Sequence, residues 1–223
     1  MKLALTLTLT LWLCAGIAQA QESIRSDGRL SDDDFYRLVA CAAPPFGACQ
    51  KDTVRWSPAD ALSLTIGFAQ IDPGYPTALR RMADQALDAA LIELNASGAQ
   101  LYISRSDNIT NMDISIYLFA IKAGDIIRGT GLSPLDGAKI EAAKAQIWWR
   151  ADRSLISGAI VLANDVDPDE VASIMLEEVT QTMGLLTDVD SAYYETRSIF
   201  SETSNQRTQL GPQDITALRR HYP

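Results

Sequence analysis

The sequence predicts an α+β fold with about four or five β-strands, two long helices, a short N-terminal helix and a C-terminal helix. Apolar residues alternate with polar or small residues in short segments, which is the period of half-buried strands. Apolar residues recur at helical spacing over two longer stretches, 79–94 and 167–184. Turn residues such as Asp72-Pro73-Gly74 separate these segments. The predicted strands are 62–68, 100–104, 112–119, 145–150 and 157–163, and none is predicted after them.

The first twenty residues have the pattern of a secretory signal peptide. Lys2 is the charged start, an apolar run follows from Leu3 to Ile17, and Ala18-Gln19-Ala20 is a small-x-small cleavage site. No stretch of the chain has the roughly 20 apolar residues that a transmembrane helix needs. We therefore expect cleavage after Ala20, a secreted or periplasmic location, and no membrane span.

The charge of the chain narrows the classes of partner. The formal net charge is −9, and loss of Lys2 with the signal would make it one unit more negative. An acidic surface disfavours binding to nucleic acid and to anionic lipid headgroups. The length of the remaining chain suits one domain with a sizeable core.

Two cysteines remain beyond the signal, Cys41 and Cys49. In an oxidising compartment this spacing predicts a disulfide that closes a short loop, and such a loop stabilises the fold by about 2–3 kcal/mol. A metal site at this pair is the weaker interpretation, because the chain has no further cysteine and a single histidine to complete the coordination.

The chain divides into an N-terminal arm, 21–55, and a main domain, 56–223. Within the arm, residues 21–30 are predicted to be loose, and Ser31 is predicted to cap a short helix from about Asp32 to Ala42. In the main domain, glycines and a proline predict an irregular loop over 122–137.

The final helix is predicted to start near Gly211, with Ile215, Leu218 and Tyr222 on its inner face. His221, the only histidine, is expected to be solvated there, because a helix C-terminus favours cationic side chains.

The segment from Leu176 to Thr187 keeps the spacing of the zinc-protease signature H-E-x-x-H-x-x-G-x-x-H but none of its histidines. Glu178 stands at the glutamate position and Gly184 at the glycine position. The three histidine positions are held by Glu177, Gln181 and Thr187.

We expect the helix that carries this motif to be capped by Asp167 and to end at Gly184. At 100° per residue Glu178 falls on the apolar face, whereas Glu177 and Gln181 fall on a polar one.

Glu178 is the candidate catalytic residue. A carboxylate on an apolar face either has a raised pKa or accepts hydrogen bonds from nearby donors, and such groups are often functional. The alternative is that it accepts hydrogen bonds from backbone amides and braces the fold. A carboxylate, an amide and a hydroxyl are poor zinc ligands, and Asp188, a further oxygen donor, lies one position out of register. Calcium or magnesium would suit these oxygens better, but we expect no metal and no cofactor.

These residues carry a resemblance to a bacterial family of unknown function, DUF2927. The matching segments are 35–49, Val54-Arg55-Trp56, 176–186, Ser198-Ile199-Phe200 and 210–222. That family in turn resembles metzincin zinc peptidases of the matrixin kind. The resemblance implies a twisted mixed sheet on two long helices, with Glu178 as the general-base glutamate and Gly184 as the glycine turn. It also implies that Ser198, Ile199 and Phe200 form the turn below the site, with Phe200 in the place of methionine.

The expected function is that of an exported, catalytically degenerate metzincin-like protein that binds an unknown protein or peptide in the envelope. One alternative is a divergent hydrolase that uses Glu178, with or without an oxygen-ligated metal. The other is a structural envelope protein in which the motif helix is only part of the core.

Overall fold

The structure of the protein is a computed structural model, which describes residues 17–19 and 22–223, with side chains from residue 23 onward. The predicted cleavage site after Ala20 lies outside the described residues. Of the predicted signal peptide only the backbone of strand β1, Ile17–Gln19, is described.

A six-stranded mixed sheet is the centre of the fold, in the order β1-β6-β7-β5-β3-β4. Strand β3 pairs in parallel with β4 and β5, and β5 pairs in parallel with β7. Strand β6 pairs antiparallel with β7 on one side and with β1 on the other. The strands after β1 are β3 (Leu64–Ile71), β4 (Ile103–Arg105), β5 (Ile114–Leu118), β6 (Ala143–Trp149) and β7 (Leu155–Leu162). The predicted α+β class and its mixed sheet are confirmed. The predicted strands overlap β3 to β7, although β4 begins three residues later than predicted.

Four helices surround the sheet: α1 (Asp32–Cys41), α2 (Thr77–Ala96), α3 (Val171–Gln181) and α4 (Pro212–His221). Helix α2 packs against α3 and β4, and α3 packs against β6. Within the described chain no helix is both long and apolar enough to cross a membrane.

The core explains why α3 lies close to the sheet. Residues 159–162 of β7 are each 0% exposed, so both faces of this central strand are covered. Gly158 on the same strand lies opposite Thr182, and a Cβ atom at position 158 would come within 3.2 Å of the Thr182 side chain. The end of the motif helix therefore rests directly on β7.

Helix α1 and the disulfide follow the local signals of the sequence. The Ser31 hydroxyl accepts a hydrogen bond from the Asp34 amide at 3.0 Å, which caps the helix. The helix ends at Cys41, one residue earlier than predicted, because Ala42 adopts a left-handed φ of 53°. Cys41 and Cys49 form the predicted disulfide, with their Cα atoms 5.2 Å apart.

Two predictions about strands are wrong. Residues 21–30 are not uniformly loose, since β2 (Glu22–Arg25) pairs in parallel with a late strand, β8 (Thr187–Asp190). Strand β8 also contradicts the prediction that β7 is the last strand. Both segments have four residues and alternate only weakly, so neither has a recognisable pattern without its partner.

The start of the motif helix also differs from its prediction. Asp167 does not cap α3. Its carboxylate accepts from the Asp169 amide at 3.0 Å and its carbonyl from the Glu170 amide at 2.9 Å, which forms a separate turn. Helix α3 begins after that turn, at Val171.

Candidate functional site

The C-terminal half of α3 holds the residues of the motif and buries them. Glu178 is 3% exposed and Gln181 is 0% exposed, while Glu177 is half-buried. The burial of Glu178 agrees with the helical periodicity. Gln181 falls on the polar face of the helix but is buried all the same, because Asp188 of β8 lies against it.

Three polar side chains meet at this point, and we call them the carboxyl-amide cluster: Glu177, Gln181 and Asp188. The Nε2 atom of Gln181 donates to Oε1 of Glu177 and to Oδ1 of Asp188, each at 3.3 Å. The Oε1 atom of Gln181 is buried without a hydrogen-bond partner among the described residues. Glu177 and Gln181, which stand at two of the three histidine positions of the zinc-protease signature, are therefore in contact.

The third histidine position, Thr187, is not hydrogen-bonded to this cluster. Thr187 is 1% exposed and belongs to β8, next to Asp188. Successive side chains of a strand point to opposite faces, so only one of the two can face α3. That residue is Asp188, which the spacing of the motif placed one position out of register.

Both carboxyl groups of the cluster have raised pKa values. Burial raises the pKa of Glu177 well above its usual value, and the charges of Asp188 and Glu178 raise it further. Burial and the charge of Glu202 raise the pKa of Asp188 to about 8. The two side chains are hydrogen-bonded to each other, which requires a proton on one of them.

Glu178 points towards strand β6. Its carboxyl group accepts a hydrogen bond from the Ala145 amide and interacts with the charge of Lys144. Its Oε2 atom is buried without a hydrogen-bond partner among the described residues. Burial, followed by the charge of Asp188, raises the pKa of Glu178 to about 8, so at pH 7 this side chain is mainly a protonated acid.

These residues do not fit a zinc ion, although a metzincin-like fold would imply one. The amide nitrogen of Gln181, which is a donor, faces both carboxyl groups, and zinc requires neutral nitrogen or carboxylate lone pairs. Among the residues with described side chains, no group of three or more His, Cys, Asp or Glu is arranged to hold a metal ion.

Gly184 ends the motif segment in a position that only glycine can occupy. Its φ is 95°, and a Cβ atom there would lie 2.0 Å from the carbonyl oxygen of Val54. The carbonyls just before it are capped by side chains from elsewhere: Trp56 donates from Nε1 to Thr182 O at 3.1 Å, and Tyr222 donates to Met183 O at 2.6 Å.

The prediction that His221 is solvated is wrong, because the segment around Val54 and the ring of Tyr36 cover the end of α4. His221 is 0% exposed, and its Nε2 atom donates to Val54 O at 3.0 Å. The Tyr36 hydroxyl lies 3.3 Å from Nδ1. Burial lowers the pKa of His221 to about 4, so the ring is neutral and structural at pH 7.

The turn Ser198-Ile199-Phe200 is held by Asp214, a residue that the sequence identified only as part of a helix start. The Asp214 carboxylate is 0% exposed and accepts from Ser198 Oγ at 2.6 Å and from the Ile199 amide at 3.1 Å. It also accepts from the Gly211 amide at 2.7 Å, so it caps α4 at the same time. The signal in the sequence that could have identified this role is an acidic residue, Asp214, three positions after Gly211 at the start of the helix.

Comparison with known proteins identifies a family to which no activity is assigned. The family model described as "Protein of unknown function (DUF2927)" matches residues 87–223. Among curated proteins, no significant match is found.

Proposed function

The chain belongs to the DUF2927 family, whose description assigns no activity, and from its residues we propose an exported, catalytically degenerate metzincin-like protein that binds a protein or peptide. The observation that carries this proposal is Gln181. Its buried amide bridges two carboxyl groups where a metallopeptidase would present an imidazole to zinc. This bridge stabilises the fold at this point and turns an N–H donor, instead of a ligand atom, towards both carboxyl groups.

Strand β6 is the proposed binding element. It lies beside α3, and among the described strands its neighbours in the sheet are β7 and β1, Ile17–Gln19. Removal of the first twenty residues would take β1 away and leave unpaired the backbone groups of residues 146–148 that β1 pairs with. An exposed strand edge of this kind accepts an extended peptide as an added strand. In β1 the chain itself supplies an example of such a segment, in antiparallel register with residues 146–148.

Two features support export. The first twenty residues have the three parts of a signal peptide. The disulfide between Cys41 and Cys49 is of the kind that persists in oxidising compartments.

Metal content and hydrolysis test the degenerate character of the site. We would express the full chain with its own first twenty residues, purify it from the exported fraction without chelators, and measure bound metals. We expect less than stoichiometric metal and no cleavage of a peptide library, with Glu178→Gln indistinguishable from the unaltered protein. Stoichiometric zinc together with Glu178-dependent cleavage would falsify the proposal.

Hydrogen-deuterium exchange tests the binding element. The exported protein would be screened against extended peptides, and a bound peptide is expected to slow exchange over residues 143–149. A chain that begins at Gly16 and retains β1 is the matched control. It should bind the same peptide at least about tenfold more weakly, because its β6 edge is already paired. Protection elsewhere, or equal binding by both forms, contradicts the proposed element.

A hydrolase is the second candidate, and one observation favours it. Glu178 is a buried acid with an unpaired Oε2 atom, and such groups occur at sites of proton transfer. Its 3% exposure leaves little access for a substrate, which is why binding is the leading proposal. Peptide cleavage lost in Glu178→Gln but retained in the metal-free protein would establish this candidate instead.

A further inference from the structure

A cavity of about 320 Å³ lies away from the carboxyl-amide cluster and is rich in arginine. We call it the arginine pocket. It lies between the N-terminal arm, the segment that follows β8, and the first turn of α4. Its charged lining is Arg29, Arg197 and Arg207, and Tyr193 and Gln213 form part of its wall.

The charges of this pocket are unusual for the chain that carries them. The protein has a formal net charge of −9, yet three guanidinium groups line one concavity. Across the described residues neither Arg197 nor Arg207 forms an ion pair with a carboxylate, and Arg29 has only a loose one, 3.9 Å from exposed Asp32. Arg197 and Arg207 thus have no carboxylate at ion-pair distance among the described residues, and a bound anion would supply the missing counter-charge.

Arg207 is held rigidly by backbone carbonyls. Its Nε, Nη1 and Nη2 atoms donate to the carbonyls of Gln209, Thr196 and Leu210, at 3.0, 3.1 and 3.4 Å. These bonds use three of the five N–H groups that a guanidinium carries. The nearby carboxylate of Asp214 does not neutralise it at ion-pair distance, since Asp214 is engaged by Ser198, Ile199 and Gly211.

Arg197 is held by the backbone and the ring of Tyr193. Its Nη1 atom donates to the Tyr193 carbonyl at 2.8 Å, and its guanidinium carbon lies 4.5 Å from the centre of the Tyr193 ring. The ring fixes the orientation of the charge. Gln213 fixes the wall: its Nε2 atom donates to Leu30 O at 3.2 Å, and its Oε1 atom accepts from the Tyr194 hydroxyl at 3.0 Å.

We propose that the arginine pocket binds a phosphate monoester group, with Arg197 and Arg207 as its principal donors. Guanidinium groups bind tetrahedral and planar oxyanions through paired N–H donors, and a dianion offsets three positive charges better than a single carboxylate does. The cavity volume is at the lower end of the range for small-ligand sites, about 300–1,000 Å³, so a small organic group can accompany the phosphate. This inference is independent of the function proposed for the motif helix.

Binding calorimetry at constant ionic strength and pH 7.5 tests the proposal on the exported protein. The probes are inorganic phosphate, glycerol 3-phosphate, phosphatidylcholine vesicles that contain phosphatidic acid, and acetate as the carboxylate control. We expect saturable binding of glycerol 3-phosphate and weaker binding of inorganic phosphate. Vesicle binding that exceeds both would identify a lipid headgroup as the source of the same phosphate group, whereas its absence would identify a soluble phosphomonoester.

Two variants and a control test whether the arginine pocket is the site of phosphate binding. Arg197→Gln removes one exposed donor and should weaken binding at least about tenfold, while Arg197→Lys, which keeps the charge without the fork, should fall between. Arg81→Gln removes an equal charge from the exposed face of α2 and should bind as the unaltered protein does. The proposal is overturned by absence of saturable binding in the millimolar range, by unchanged binding in Arg197→Gln, or by equal binding of acetate.

Discussion

The side-chain amide of Gln181 donates to Oδ1 of Asp188 at 3.3 Å, and this contact joins the end of α3 to strand β8. The same nitrogen also donates to Glu177, so one amide links two carboxyl groups whose pKa values are both raised. A histidine imidazole at position 181 could coordinate a metal ion. The amide of Gln181 instead links α3 to β8 through hydrogen bonds.

Gln181→Ala should therefore lower the free energy of unfolding by about 2–3 kcal/mol, because it leaves two buried carboxyl groups without their common donor. Gln85→Ala, at an exposed position of α2, is the control and should change stability by no more than about 0.5 kcal/mol. Urea denaturation followed by tryptophan fluorescence measures both. Equal effects at the two positions would show that the bridge contributes nothing.

The buried acids predict that stability falls as the pH rises from 6.5 to 8. The pKa of Glu178 and that of Asp188 are raised to about 8 in the folded protein, and the pKa of Glu177 is raised well above its usual value. The folded state therefore holds protons that the unfolded chain has already released. Their stabilisation is complete below the unfolded pKa and is lost as pH approaches 8. Each of the three groups contributes a slope of at most about 1.4 kcal/mol per pH unit, and we expect a total loss of about 4–5 kcal/mol between pH 6.5 and 8.

Between pH 6.5 and 8 the other buried titratable groups contribute little to the pH dependence of stability. The pKa of His221 is lowered to about 4, so its uptake of a proton on unfolding matters only below about pH 6.5. Asp214, with a pKa raised to about 6, is largely ionised in both states above pH 6.5. Glu178→Gln should reduce the pH dependence by about a third, since one of three acids with a raised pKa is removed. A flat profile in the unaltered protein would contradict the assignment.

Gly184→Ala should be among the most destabilising single changes in the chain. The substitution combines an unfavourable φ of 95° with a Cβ atom 2.0 Å from Val54 O, and we expect a loss of more than about 3 kcal/mol. Gly129→Ala is a matched control, because its φ is 93° and a Cβ atom there meets nothing within 4 Å. The loss of stability in Gly129→Ala, about 1 kcal/mol, therefore measures the backbone strain alone. Thermal unfolding of both variants gives the cost of the close approach by difference.

How much of the fold was predictable depended on the distance between interacting residues. Helix α1 and the disulfide were predictable because their signals, the Ser31 cap and the Cys41-Cys49 pair, are local. Strands β2 and β8 were not, because four polar-rich residues acquire a strand conformation only from a partner some 160 positions away.

The same holds for the candidate site. The burial of Glu178 followed from helical periodicity within α3. Which of Thr187 and Asp188 faces the helix depends on the pairing of β8 with β2, which the sequence does not reveal. The burial of His221 depends on Val54 and Tyr36, far away in the chain.

Tyr222 joins three separate parts of the fold through one hydroxyl group, which donates to Met183 O at 2.6 Å and accepts from the Trp56 amide at 3.2 Å. Tyr222→Phe keeps the ring but leaves a buried amide and a helix-end carbonyl unpaired, so stability should fall by about 2 kcal/mol. Tyr102→Phe, at a residue 55% exposed, removes the same atom and should be neutral. Chemical denaturation of the pair measures the difference. A neutral Tyr222→Phe would mean that water replaces the hydroxyl and that the C-terminus of the motif helix is not anchored through this contact.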